Sequence, residues 1–254
     1  MHTASGSTTS YTRPLCASYN DTKQKNKMKI KESVLIVKRK GIFHLLDNDN
    51  KIKKYKPWLG DIFSFLYDRI MEKSIFPKKF FGSISKHYEI LNNEFRDIHN
   101  KNILELACGS GDAVKFLNND NIYAGIDISK GLLCIANKKL SQNRFLNFEL
   151  YIADACDLPF QDNSFDVGIC NLSLNFFHNI DHFISELKRV LKKNALFYCS
   201  VPIPEKKNPK ATIHGILYTV EELKKRFQNQ NFDFEELPYE NGALLYFKAR
   251  PTKN

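Results

Sequence analysis

Three short segments of this 254-residue chain combine residue types in a way that suits a nucleoside-bearing ligand. The first is Ile103-Leu104-Glu105-Leu106-Ala107-Cys108-Gly109-Ser110-Gly111-Asp112. Its apolar start reads as a strand and its end as the opening of a helix. Gly109 and Gly111 let the backbone turn tightly and approach a ligand closely. A helix N-terminus placed there favours a negative group such as a carboxylate. The second is Gly125-Ile126-Asp127-Ile128-Ser129. Asp127 ends a strand about 20 residues past the glycines, where an acid can accept hydrogen bonds from ribose hydroxyls. Ser129 is the better helix cap, which leaves Asp127 for a ligand. The third is Ala153-Asp154-Ala155. Asp154 lies just past a strand and can accept a proton from an adenine amino group, or it can simply close a turn.

These residues need a frame that brings strand ends together. From residue 101 the hydrophobic pattern alternates between the two periods. Strands are expected at 102–106, 122–127, 148–153, 165–171 and 195–201. Helices are expected to open at 111–118 and to span 129–140, 180–191 and 220–228. Phe183, Ile184, Leu187 and Val190 form the stripe of the third. Such alternation implies a Rossmann-like α/β fold, doubly wound, with a mostly parallel sheet. Residues 232–237 and 243–248 flank an Asn241-Gly242 turn, so the chain closes with an antiparallel β-hairpin.

Upstream, residues 61–98 read as a helical lid. Ile62, Phe65, Leu66, Arg69 and Ile70 form one stripe, broken by Pro77. Ile84, His87, Tyr88, Leu91 and Phe95 form another across 83–98. Residues 28–60 read as a basic module with a hairpin whose turn is Lys38-Arg39-Lys40-Gly41. The Lys51 to Lys56 run reads as a solvated face. Residues 1–27 are polar and read as a disordered leader: a native tail, a transit peptide, or sequence upstream of a start at Met28. The expected organisation is thus a leader (1–27), a basic module (28–60) and one domain (61–254) whose core spans 99–254.

The glycine segment Glu105-Leu106-Ala107-Cys108-Gly109-Ser110-Gly111 resembles the first motif of class I S-adenosylmethionine (SAM)-dependent methyltransferases. The dinucleotide spacing fails, because Val114 stands where a third glycine belongs. Asp157-Leu158-Pro159-Phe160-Gln161-Asp162-Asn163-Ser164-Phe165-Asp166 and Glu186-Leu187-Lys188-Arg189-Val190-Leu191-Lys192 are similar to two further segments of that family, in its type-11 subgroup. Lys193-Asn194 departs from the usual Pro-Gly and touches only the turn before the next strand. Tyr67-Asp68 resembles a pair found before the first motif in quinone-precursor C-methyltransferases.

The resemblance implies SAM as cofactor. Glu105 would face the methionine amino group, Ala107, Gly109 and Gly111 would lie under the methionine and ribose, and Asp127 would hold the ribose. Asp154 with Ala155 would hold the adenine, and Ile128 would also contact the cofactor. Asn171, Leu172 and Ser173 would face the methyl group, with Tyr67 and Tyr88 as candidate walls of the acceptor site. His178 follows the fourth core strand and could act as a base if the acceptor carries a proton. No grouping of His, Cys, Asp or Glu has metal-ligand spacing.

Net charge is +10, but residues 1–60 carry thirteen basic and four acidic residues, so the remainder is close to neutral. A phosphate-tracking groove in the core is therefore not signalled. A small-molecule acceptor is the favoured partner. An RNA or protein acceptor recruited through the basic arm is the alternative, and a SAM-binding module without catalysis is the third reading. No apolar run approaches the ~18 residues of a membrane helix. Six scattered cysteines without C-x-x-C pairs read as reduced thiols, as in a cytoplasmic protein.

Overall fold

The computed structural model describes residues 28–55 and 66–252. The leader, Lys56, and the Ile62 and Phe65 positions of the first lid stripe lie outside the described residues. Nine strands form one sheet: β1 (Ile36–Arg39), β2 (Ile42–Leu45), β3 (Asn102–Leu106), β4 (Ile122–Asp127), β5 (Phe148–Ile152), β6 (Phe165–Asn171), β7 (Leu191–Pro202), β8 (Phe232–Glu236) and β9 (Leu244–Pro251). Their spatial order is β1-β2-β5-β4-β3-β6-β7-β9-β8. Pairing is parallel from β2 through β7, and antiparallel at β1–β2, β7–β9 and β8–β9. This is the expected doubly wound sheet with a terminal hairpin.

The helices are α1 (Tyr67–Ile70), α2 (Ile84–Phe95), α3 (Lys130–Gln142), α4 (Ile180–Val190) and α5 (Val220–Asn229). Ile103 of β3 points to the face where Leu91, Phe95, Leu133 and Leu140 pack. Its neighbours Leu104 and Leu106 point to the other face, against Phe183, Leu187, Leu223 and Phe227. Strand alternation thus feeds two apolar layers, and both faces are covered. Ser129 caps α3 by accepting from Leu132 N–H (3.1 Å), and Thr219 with Glu222 forms a capping box on α5.

Four details depart from the sequence pattern. The helix expected from Gly111 is a single 3₁₀ turn, Asp112–Lys115, entered through Gly111 at φ +77°. Asn118 then uses its side-chain amide on the carbonyls of Arg96 and Ile98, which ends the turn. The lid helix does not stop at Pro77: α1 continues as a π-helical stretch, Met71–Phe80, and ends at Phe81 in the left-handed region. Proline removes one donor, and the wider winding accommodates that gap. No turn separates α4 from β7, because Leu191 already has extended backbone. The extra residues around Lys193-Asn194 form an irregularity opposite Phe165 and Val167 of β6. Finally, the hairpin at 36–45 is part of the main sheet, since Ile42, Phe43 and His44 pair with Leu150, Tyr151 and Ile152. Its turn is confined to Lys40 and Gly41, both with positive φ, while Lys38 and Arg39, expected in the turn, belong to β1.

Candidate functional site

The strand order reverses between β3 and β6, which places the carboxyl ends of β3, β4 and β6 around one crevice. The glycine segment turns there. Cys108 N–H donates to the Ile126 carbonyl (2.9 Å), so the turn is fastened to β4 from its start. Gly111 must be glycine twice over: its φ is positive, and a Cβ would sit 2.8 Å from Cα and Cβ of Ala136 on α3. Gly109 also has positive φ, but a Cβ there would meet only Cε1 of Tyr67 at 3.9 Å. That glycine faces open space beneath an aromatic ring. Ala107 holds φ +53° without being glycine, a conformation that costs an L-residue roughly 1 kcal/mol.

Asp127 does more than wait for a ligand. Its Oδ2 accepts from Gly109 N–H (2.9 Å) and its Oδ1 from Ser129 N–H (2.8 Å). The cap by Ser129 therefore does not leave Asp127 idle. One carboxylate ties the glycine turn to the start of α3. Glu105 is buried on the same face as Ile103, hydrogen-bonded by the Tyr123 hydroxyl. Burial pushes its carboxyl up to about 8, partly opposed by Tyr123, and the nearby carboxylates of Asp112 and Asp127 add to the rise.

The lid is bolted to this turn. Asp68 accepts from the Ser110 hydroxyl (2.6 Å) and from Lys139 (2.5 Å), and Lys139 also reaches Asp112 at 2.7 Å. Tyr88 donates to Asp112, and Lys115 sits 4.2 Å above its ring. Burial alone would raise the Asp112 carboxyl, but Lys139, Tyr88 and Lys115 outweigh it and hold it below the usual carboxylate range. Sequence patterning carries no sign of Lys139, whose partners are far away in the chain. Lys139→Met should leave Asp68 without its cation and Asp112 with Lys115 alone, at a cost of about 2 kcal/mol. The midpoint of urea unfolding reads this; an unchanged midpoint would show that the bolt is not structural.

Past the end of β5, Asp154 is exposed and its Oδ1 accepts from Cys156 N–H (2.9 Å), so it closes a turn there. Ala155 is buried beside it, and Ile128 is a large exposed apolar side chain after β4. Lys53 bonds Asp157 at 2.8 Å, which brings the chain after β2 to this same loop. Asn171 ends β6 and Leu172 and Ser173 follow it, each partly buried, and the Ser200 hydroxyl donates to the Asn171 side chain. Leu172 joins an apolar cluster with Met71, Ile75, Phe76 and Phe80 of the lid and Leu244 and Tyr246 of β9. The β8–β9 connection clasps the lid: Ala243 N–H donates to the Phe80 carbonyl (2.7 Å). His178 is exposed on the loop before α4. Among the described residues no group of three or more His, Cys, Asp or Glu could hold a metal ion.

Residues 104–199 match the family described as a methyltransferase domain. A demethylmenaquinone methyltransferase of Symbiobacterium thermophilum is 27% identical over 50% of this chain and 59% of its own. A ubiquinone/menaquinone biosynthesis C-methyltransferase of Rickettsia bellii is 32% identical over 54% of this chain and 64% of its own. The chain thus spans less than two thirds of these relatives. Among solved structures, a SAM-dependent methyltransferase of Aquifex aeolicus superposes with TM-score 0.59, at 17% identity, covering 72% of this chain and 96% of that one. A Haemonchus contortus phosphoethanolamine N-methyltransferase, solved with SAM, gives TM-score 0.58 at 15% identity, covering 76% and 57%.

Proposed function

We propose that this chain, whose core is a class I SAM-dependent methyltransferase domain, moves the methyl group of SAM to a small, largely apolar acceptor. The observation that carries the acceptor class is the apolar cluster over the end of β6, built by Leu172, Met71, Ile75 and Phe76 with β9. Small-molecule sites are mostly apolar with a few placed polar groups. The quinone-precursor chemistry in the names of two relatives has the same character.

The residues present fit the cofactor. Three carboxylates, Glu105, Asp112 and Asp127, surround the glycine turn, and Tyr67 lies over Gly109. Such a place accepts a cation, and an aromatic face adds to that. SAM supplies a methyl already activated on a sulfonium sulfur. Glu105 would take the amino group, Gly109 would give the close approach, and Asp127 would take the ribose while keeping the turn in place. Ile128, Asp154 and Ala155 would hold the adenine. The chain then has to align the acceptor in line with the S–CH₃ bond and keep water out. Asn171, Leu172 and Ser173 would line that approach, closed over by the lid with Tyr67 and Tyr88.

Incubation with [methyl-³H]SAM and either a lipid extract or total RNA tests this. Label should enter an organic-soluble product of low mass. Label in RNA alone would overturn the acceptor class and favour recruitment through the basic arm.

A further inference from the structure

His87 is 1% exposed, on α2, and its ring touches the rings of Phe76, Tyr88 and Tyr246. Its two nitrogens have different fates. Nδ1 lies 2.9 Å from the Tyr246 hydroxyl. Nε2 is buried and has no hydrogen-bond partner.

The surrounding amide decides which nitrogen carries the proton. Asn241 is oriented by both backbone groups of Ser83: its Oδ1 accepts from Ser83 N–H (2.8 Å), and its Nδ2 donates to Ser83 O (3.0 Å). The same Nδ2 donates to the Tyr246 hydroxyl oxygen (3.1 Å). Asn241 meets that oxygen with a donor, so Nδ1 is the acceptor within reach of the hydroxyl's single proton and takes it. A neutral imidazole accepting at Nδ1 carries its hydrogen on Nε2. Burial keeps the ring neutral, lowering it to about 4, with Asn171 opposing the shift and Asp112 and Lys115 also felt. The ring lies against Tyr88, which bonds Asp112 just after the glycine turn, and against Phe76 and Tyr246, which share a cluster with Leu172 just past β6, so it stands between the glycine turn and the proposed acceptor side. No hydrogen bond of ordinary geometry joins Nε2 to Asn171.

A buried donor without a partner is costly, and a fold tolerates it where a ligand completes it. We propose that His87 is an acceptor-binding residue: its Nε2–H donates to an oxygen of the molecule to be methylated, of the carbonyl or phenolate class. This rests on the methyltransferase reading above and narrows its acceptor from apolar to apolar with a hydrogen-bond-accepting oxygen. The Asn241–Tyr246 pair holds the tautomer, as second partners fix histidines elsewhere. A site built around such a donor discriminates against analogues lacking the oxygen.

Matched probes test the assignment in protein saturated with S-adenosylhomocysteine. Ligand-observed NMR compares 1-tetralone with tetralin, which has a methylene in place of the carbonyl. Wild type should bind the ketone roughly 10-fold more tightly. His87→Phe should remove that preference and leave tetralin and S-adenosylhomocysteine binding in place. His87→Gln, which keeps a donor near the Nε2 position, should restore it. A wild type that does not favour tetralone, or a His87→Phe variant that still does, overturns the proposal. So does ¹H–¹⁵N NMR of the ring showing the proton on Nδ1. A wild type that fails to bind S-adenosylhomocysteine at all would instead sink the methyltransferase reading, and the ring tautomer would still report on His87.

Discussion

Glu105→Gln should make the ligand-free protein more stable at pH 8 while weakening SAM binding. The wild-type carboxyl is buried and raised to about 8. In the unfolded chain it titrates near the ordinary value of 4.5. The folded state therefore binds this proton more tightly than the unfolded state. The protonated carboxyl's contribution is fully present below about pH 4.5 and is lost as pH rises through about 8. A shift of this size corresponds to on the order of 3–5 kcal/mol. The amide cannot ionise, keeps the contact with Tyr123, and removes that slope. SAM binding reverses the balance, because an ammonium group favours the carboxylate. Binding at pH 7 should then release a proton, which appears as a dependence of the calorimetric enthalpy on buffer. The variant should show no such release and bind SAM roughly 10–100-fold more weakly. Equal stability slopes for both proteins between pH 5 and 8 would contradict the burial argument. Equal affinities would remove Glu105 from the cofactor site.

The second large effect separates two glycines that look alike in sequence. Gly111→Ala adds a Cβ 2.8 Å from two atoms of Ala136 and forces alanine to φ +77°. The left-handed conformation and the overpacking together should cost about 3 kcal/mol. Gly109→Ala meets only the Tyr67 ring at 3.9 Å. Its stability cost should be about 1 kcal/mol, from backbone conformation alone. Its Cβ, however, projects into the space where the cofactor would lie, so SAM affinity should fall by roughly 100-fold or more. Chemical denaturation and calorimetry on the two variants read these effects independently. Similar losses of stability in both would contradict the geometry.

The core was legible because its signals are local. Alternation in β3, the stripe of α4 and the Ser129 cap each depend on a few adjacent residues, and they place the glycine turn and Asp127 at neighbouring strand ends. What stayed hidden depends on contacts between distant segments. Lys139 meets Asp68 and Asp112 only after α3 packs under the lid. Tyr123 reads as one more strand residue until it faces Glu105. His87 fits an apolar helix stripe, and only the placement of Asn241 and Tyr246 gives its two nitrogens different roles. The hairpin at 36–45 had the right turn residues, but its pairing with β5 is set by sheet assembly, which periodicity does not encode. The π winding around Pro77 absorbs the missing donor where the pattern read as a break.

On this reading, the turn at Gly109 and the carboxylate of Asp127 together form a SAM site. Calorimetric titration of the full chain with SAM and S-adenosylhomocysteine, repeated on Asp127→Ala, tests it most directly. Micromolar binding of both ligands by the wild type, weakened at least ~10-fold in a variant that remains folded, is the predicted result. Binding of neither ligand, or equal affinity in the folded variant, would contradict it.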